Sequence, residues 1–299
     1  MTARNWAVLL FLSLLWGGSF FFYKVLVAVL PPVTVVAGRV AIAALALNLW
    51  LWAKAAPLPL SLPLWKRFAL LGILNNVVPF ILIAWGETRI DSGLAGVLNA
   101  VTPIFIVLVA HFTTTDEKIS TGKLVGVGFG FAGTAVLVGP GAFSFSGDVS
   151  GQLAVLLAAF FYALGAVYGR RFRDVPPIQT ATGQITAALL MLLPLALLVD
   201  RPWTLPMPGV EAWAALFGIA LLSTALAYVL FYRLLLTATA TMASLVAFLM
   251  PVNALWLGAL FLDETITLQA LAGMALIGVG LAAIDGRLLK RTSILRQSK

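Results

Sequence analysis

The sequence predicts an all-α integral membrane protein with ten transmembrane helices, built as two inverted five-helix repeats over residues 1–144 and 145–299. Composition is the first ground. Of 299 residues, 62% are hydrophobic and 10% charged, and mean hydropathy is +1.05; a soluble domain is about a quarter charged. An internal doubling is the second. Trp16 answers Tyr162, Pro31-Pro32 answers Pro176-Pro177, Gly38 answers Gly183, and Leu71-Gly72-Ile73 answers Phe217-Gly218-Ile219, while Pro103 answers Pro251. Glu117, Gly126 and Gly133 likewise answer Glu264, Gly273 and Gly280, and all these offsets fall between 145 and 148. Each match is weak alone; the common order is the signal. Parity is the third ground, because a second copy of five spans starts from the other side of the bilayer and so runs upside down relative to the first.

Spans of roughly 20 apolar residues follow one another with their ends marked by prolines and charges. Span one, 6–29, lies between Arg4 and the Pro31-Pro32 joint, and span two, 33–53, runs from that joint to Lys54. Lys66-Arg67 open span three, 67–86, which Glu87 closes; span four, 93–113, follows Asp91 and contains Pro103. The charged stretch Asp116-Glu117-Lys118 separates it from span five, 122–139, whose Gly122, Gly126 and Gly130 form a small-residue ridge suited to close packing within one subunit or, alternatively, to a dimer seam. In the second copy, span six, 152–169, ends at Arg170, Arg171 and Arg173, and span seven, 178–198, starts at Pro176-Pro177. The outer loop with Trp203 and prolines 202, 206 and 208 precedes span eight, 211–232. Spans nine, 240–261, and ten, 268–285, flank Asp263-Glu264. Length and these markers carry the assignment, since helices apolar all round have no useful periodicity. A β-barrel would show short alternating segments instead. Residues 1–23 are read as part of span one and not as a cleaved signal peptide, because the apolar run is long and bulky without a small-residue cleavage pattern.

Fifteen of the 19 Lys and Arg residues fall on the face shared with the amino terminus, leaving Lys24, Arg39, Arg89 and Arg201 on the other. By the positive-inside rule both termini are expected in the cytoplasm of a multi-pass inner (plasma) membrane protein. The net charge of +8 is spread over loops and a short tail, which suits anionic lipid and not nucleic acid.

Several chemistries are excluded or disfavoured. Gly122-Lys123 is followed by Leu124, so no phosphate-binding loop for ATP exists. With no cysteine and His111 alone, neither a metal site, a disulfide nor a catalytic triad assembles, and no cofactor is implied. Every Asp and Glu falls at a span end or in a loop. A buried central carboxylate, the device for exchanging protons against cationic drugs, is thus absent, and a neutral or zwitterionic substrate with weak or no proton coupling is expected.

Uncharged polar and aromatic residues remain as candidate cavity lining. Trp16 and Ser19 lie in span one, Asn75, Asn76, Pro79 and Phe80 in span three, and Asn99 and Thr102 in span four; Tyr162, Gln184, Thr186, Ser223, Thr224, Tyr228, Ser244 and Phe248 lie in the second copy. Pro79 frees a backbone carbonyl near Asn75 and Asn76 that can face a cavity, and the aromatics can stack on an apolar or aromatic substrate; helix-to-helix bonding or packing is the alternative for each. For Asn48 and Ser13 plain helix bonding is expected. Pro103 and Pro251, at one depth in the two copies, are candidate hinges. Lys24, Arg39 and Glu87 form either a charged gate or a structural pair. Arg39 lies about 9 Å inside span two at 1.5 Å per residue and is expected to pair with Glu87 or Asp91, the alternative being attraction of a substrate carboxylate.

Trp16-Gly17-Gly18-Ser19 ahead of Lys24, Gly38-Arg39 opening span two, Pro103 with Glu117 before a glycine-rich span, and their second-copy echoes Tyr162-Ala163, Arg170-Arg171, Pro251 and Glu264 resemble the drug/metabolite transporter superfamily in its ten-span EamA-type branch. The resemblance covers essentially the whole chain and implies a carrier for small metabolites, often an exporter of amino acids, with some likeness to the aromatic amino acid exporters. The second copy departs from the first at Arg39, which becomes Gln184, and at Lys24, so substrate contacts need not be symmetric.

The leading reading is a carrier, monomeric or weakly dimeric, that binds a small metabolite between inverted halves and moves it by alternating access. A sugar-phosphate or nucleotide-sugar exchanger would need several deep cations where only Arg39 approaches that depth. A lipid-modifying enzyme would need a convergent group drawn from His111, Glu117 or Glu264, and a passive channel a continuous polar stripe.

Overall fold

The computed structural model describes residues 2–90, 92–138, 148–250, 252–253 and 268–284. Among these, all regular structure is helical. Helix α1 (Ala3–Val27) is capped by Thr2, whose hydroxyl accepts the Asn5 amide at 3.2 Å. Helix α2 (Pro32–Ala53) opens on the double proline, where a missing N–H costs nothing. Span three comprises α3 (Leu62–Gly72), a π turn (Ile73–Val77) and α4 (Val78–Glu87). Span four is not one helix. It breaks at Ala100-Val101 into α5 (Ser92–Asn99) and α6 (Thr102–Thr113), because Pro103 sits in the first turn of α6 and cannot donate back into α5. Helix α7 (Thr121–Val138) ends the first copy.

The second copy repeats the plan with α8 (Val149–Gly169), a 3-10 turn at Arg170–Phe172, and α9 (Pro177–Val199), followed by α10 (Val210–Ala220), a second π turn (Leu221–Leu226) and α11 (Ala227–Leu235). Span nine breaks at Leu245 into α12 (Ala240–Ser244) and α13, residues 246–250, and α14 (Leu268–Ile284) closes the chain's described part. The boundary expected at 144, Pro251 and Glu264 lie outside the described residues. Among the described residues six helical segments are each long and apolar enough to cross a bilayer, and spans four, nine and ten supply shorter apolar helices.

Contacts between the copies are reciprocal, as a twofold relation requires. Helix α2 packs on α9 and α7 on α14, while α2 meets α10 as α9 meets α3. The duplicated glycines stand at these crossings: a methyl on Gly38 would lie 3.3 Å from Leu216 of α10, and one on Gly183 would lie 2.4 Å from Phe68 of α3. Asn48 donates to Thr186 at 2.8 Å across the α2–α9 contact, and Ser13 donates within α1 to the Leu10 carbonyl at 2.7 Å; both are helix bonds, as expected. At the end of α9, Asp200 accepts the Thr34 amide at 2.7 Å and its hydroxyl at 2.9 Å, a carboxylate at the amino end of α2.

The glycine ridge of span five is used within the chain. Gly133 faces the Gly273 carbonyl and Gly280 faces the Gly126 carbonyl so closely that an added methyl would lie 2.7 and 2.5 Å from those oxygens. Substituting Gly133→Leu should lower the unfolding midpoint in detergent, by about 1–3 kcal/mol of stability from overpacking. Gly128→Ala, where nothing lies within 4 Å, should leave the midpoint unchanged.

Candidate functional site

The first π turn and both helix breaks border one cavity. Its wall is formed by Trp16, Ser19, Phe20, Tyr23, Arg39, Asn75, Phe80, Ile83, Asn99, Thr102, Ile106, Tyr162, Ala166, Tyr228, Phe231, Ser244, Val246, Ala247 and Met250. It is mainly apolar and aromatic with few polar groups, the usual make-up of a small-molecule site. Two polar atoms are unspent at the wall: the Asn99 side-chain oxygen, at the break of span four, and the Ser19 hydroxyl of α1, both buried, have no hydrogen-bond partner.

Arg39 is the single charge on this wall, 3% exposed. It crosses to the opposite repeat, where Nε donates to the Thr224 hydroxyl at 2.7 Å and Nη2 to the Ser223 carbonyl at 3.4 Å in the second π turn; Nη1 donates to Tyr23 at 2.8 Å. Its Cζ lies 3.6 Å from the centre of the Phe80 ring, a cation–π contact. Three of the five guanidinium N–H groups are thereby met by neutral oxygens. Among the described residues no carboxylate forms an ion pair with it. The expected pairing of Arg39 with Glu87 is therefore not found, because the guanidinium is drawn inward to the π turn; Asp91 lies outside the described residues.

The equivalent residue, Gln184, makes the mirror contact. From α9 it reaches the first π turn, its side-chain oxygen accepting from Asn75 at 3.4 Å and from Tyr232 at 2.5 Å. The Asn75 carbonyl accepts Tyr228 at 2.8 Å, and the Ser223 carbonyl accepts the Trp16 indole at 3.1 Å. Pro79, four residues after Asn75, has no N–H to return to that carbonyl. Gly165 on α8 makes room for Asn75, whose amide oxygen would lie 1.9 Å from an added methyl.

Of the candidate lining residues, Trp16, Ser19, Asn75, Phe80, Asn99, Thr102, Tyr162, Tyr228 and Ser244 stand together on the wall. Seven stand off it. Gln184 holds Asn75 from α9; Asn76 and Pro79 are buried off the wall; Thr186 accepts from Asn48, and Ser223 and Thr224 hold Arg39; Phe248 packs its ring on Gly130, 2.6 Å from where a methyl would be. Pro103 marks a true break in span four, whereas Pro251 falls outside the described residues. Tyr23 and Phe231 were not picked, though Tyr23 is one helical turn from Ser19 and Phe231 is three residues from Tyr228. Glu87 is at a span end as expected, yet it is buried to 1% exposure, which removes the ground for expecting weak proton coupling. Lys24 donates to the Ile90 carbonyl at 3.5 Å and lies within electrostatic reach of Glu87.

Toward the amino-terminal face the cavity is sealed in layers. Beyond Gln184 and Tyr232, the rings of Phe68 and Phe172 stack at 5.5 Å and Arg67 covers Phe172 at 4.6 Å, reaching Asp174 at 3.6 Å.

The sequence profile of EamA-like transporters matches residues 4–139 and again residues 149–284. The chain belongs to the EamA-like transporter family. Relatives include the protein described as "Uncharacterized transporter YoaV" of Bacillus subtilis, 26% identical over 90% of this chain and 92% of the relative. The "Uncharacterized inner membrane transporter YedA" of Escherichia coli is 26% identical over 86% of this chain and 82% of its own length. A solved crystal structure superimposes with a TM-score of 0.76 at 19% identity, covering 95% of this chain and 98% of the other; it supports the fold alone. The chain is a multi-pass membrane transporter of the EamA-like family, whose description and relatives are those of transporters and not of enzymes.

One buried carboxylate ties this EamA-like protein together at its amino-terminal face. Glu117, 1% exposed, accepts the Ala240 amide at 2.9 Å, the Thr241 amide at 3.1 Å and the Thr241 hydroxyl at 2.6 Å, so it caps α12. Arg170 pairs with it at 2.9 Å and also grips Asp116. Glu117→Ala should cost about 3 kcal/mol by leaving buried donors and a cation uncompensated, read as a lower unfolding midpoint. The Arg170 hydrogen bond holds the Asp116 carboxyl down at about 2. A depressed acid stabilises the fold fully above its ordinary range near pH 4 and loses that effect as pH falls toward 2. The midpoint difference between native and Asp116→Asn proteins should therefore be constant above about pH 5, shrink as pH falls from there, and vanish only below about pH 2.

Proposed function

We propose that this transporter carries small zwitterionic metabolites, with aromatic or hydrophobic amino acids favoured, by alternating access across the inner membrane. The observation that carries the reading is Arg39: a buried cation on the cavity wall with two N–H groups to spare and only neutral partners. A ligand carboxylate completes it as a bidentate pair. The unpartnered oxygens of Asn99 and Ser19 suit an ammonium group, and Trp16, Phe80, Tyr162, Tyr228 and Phe231 suit an apolar or aromatic side chain. A sugar phosphate would bring more negative charge than one wall cation matches. The excess of Lys and Arg on the amino-terminal face supports placing that face, with both termini, in the cytoplasm, and the doubling and broken helices support motion of one half against the other.

Thermal unfolding with an amino acid panel tests this directly. Phenylalanine should stabilise the protein, phenethylamine, which lacks the carboxylate, should not, and Arg39→Met should weaken phenylalanine binding by about 2 kcal/mol, roughly thirtyfold. No stabilisation and no saturable proteoliposome flux across the twenty amino acids sinks the proposal.

A further inference from the structure

Glu87 is the last residue of α4, one helical turn beyond Ile83, which lines the cavity. Its side chain is 1% exposed, and neither carboxylate oxygen has a hydrogen-bond partner. An ionised carboxylate with no donor in such a place is costly, whereas the neutral acid is tolerated. The surrounding elements are α1, α2, α5 and α8. Of their charged or titratable groups, Tyr23 and Lys24 come from the near end of α1, Arg4 from its opposite end, and Arg39 from α2, where it is held by Tyr23 and the second π turn. Helix α5 has none; α8 brings Tyr162 at the cavity and Tyr168 further along, and Asp148 ahead of α8 is paired to Arg89 at 2.5 Å. Asp91 lies outside the described residues.

Glu87 stands in the seam between α1, α4, α5 and α8, where Ile90, Ala95 and Val155 form a separate small apolar cluster with Phe20, Leu94 and Leu98 against it. That seam must part for the cavity to reach the face opposite the amino terminus. We propose that Glu87 is a proton-binding site that couples the transport cycle to protons: the carboxylic acid is neutral while the seam is closed and gives its proton to water on that face when the seam opens. Reprotonation from water accompanies closure, so one O–H bond breaks and one forms in each cycle. Linkage then makes pH a driving variable, because a group that binds its proton more tightly in one conformation favours that conformation as pH falls. The inference rests on the alternating-access reading above but not on the identity of the substrate.

The chain has no cysteine, so one introduced thiol reports opening without background. Ala95, fully buried in the seam, becomes the reporter as Ala95→Cys in proteoliposomes treated with an impermeant maleimide. Its rate is divided by that of Met207→Cys, an 83% exposed loop residue on the same face, which cancels the intrinsic pH dependence of the thiol. The ratio should rise about tenfold from pH 6 to pH 8, corresponding to one unit of difference in proton affinity between the conformations. Adding Glu87→Gln should flatten it to within about twofold of constant, and Glu87→Asp should retain the rise, on that same one-unit scale. Glu87→Met, which removes an unsatisfied buried polar group, serves if the glutamine variant fails to fold. A native ratio independent of pH, or an equal rise without the carboxyl, overturns the proton site. A thiol never labelled at any pH in any variant overturns alternating access itself, and a substrate panel without hits leaves this readout intact.

Discussion

Arg39 carries a full charge deep into the apolar bundle, and the protein holds it there with oxygen atoms and a ring instead of a carboxylate. Desolvating a guanidinium is expensive, so each contact around it is constrained. Phe80 must present its face, Tyr23 its hydroxyl, and the second π turn both the Thr224 hydroxyl and the Ser223 carbonyl. A regular helix at 221–226 would turn these groups elsewhere, and π turns within α-helices are found frequently at functional sites for that reason. The same carbonyl takes the Trp16 indole, and the Ser223 hydroxyl donates to the Leu15 carbonyl at 2.6 Å. One charge thereby joins α1, α2, α4 and the second repeat.

The mirror contact at Gln184 makes this more than a local arrangement. Positions following the duplicated glycines Gly38 and Gly183 each dock on the π turn of the other repeat. One is charged and lies open to the cavity; the other is neutral and fully buried, its side-chain oxygen held by Asn75 and Tyr232. The repeats share a backbone plan and differ in the chemistry placed on it, and the cavity lies toward the charged side.

Much of the plan was legible. Double prolines, loop charges and the ordered offsets located the spans that the described residues show, and the matched glycines marked close crossings because only small residues recur where backbones approach. The π turns were not legible, since a uniformly apolar helix has no periodicity from which one extra residue in a turn can be noticed. The break before Pro103 was visible only as a hinge candidate: proline forbids one bond but does not say whether the helix bends or stops. Arg39 looked destined for a carboxylate on its own face because intramembrane charges usually pair, and its real partners lie 184 and 185 positions away in sequence. Glu87 was placed correctly along the chain but not in depth, as one sequence position cannot reveal how fully the neighbouring helices bury a span end.

The mirrored docking points also bear on populations. Were the two halves of an inverted pair identical, exchanging their conformations would give a state of the same energy, and each would be half occupied. The equilibrium constant between the two states is then a measure of how far the halves have diverged, position by position, and it is set at contacts such as Arg39 and Gln184 that differ between them. A difference of only 1.4 kcal/mol, about one neutral hydrogen bond, shifts the ratio tenfold. Gene duplication supplies two accessible states almost automatically; substitution at a few docking residues decides which one the resting protein occupies and how much of a ligand's binding energy is spent reversing that preference.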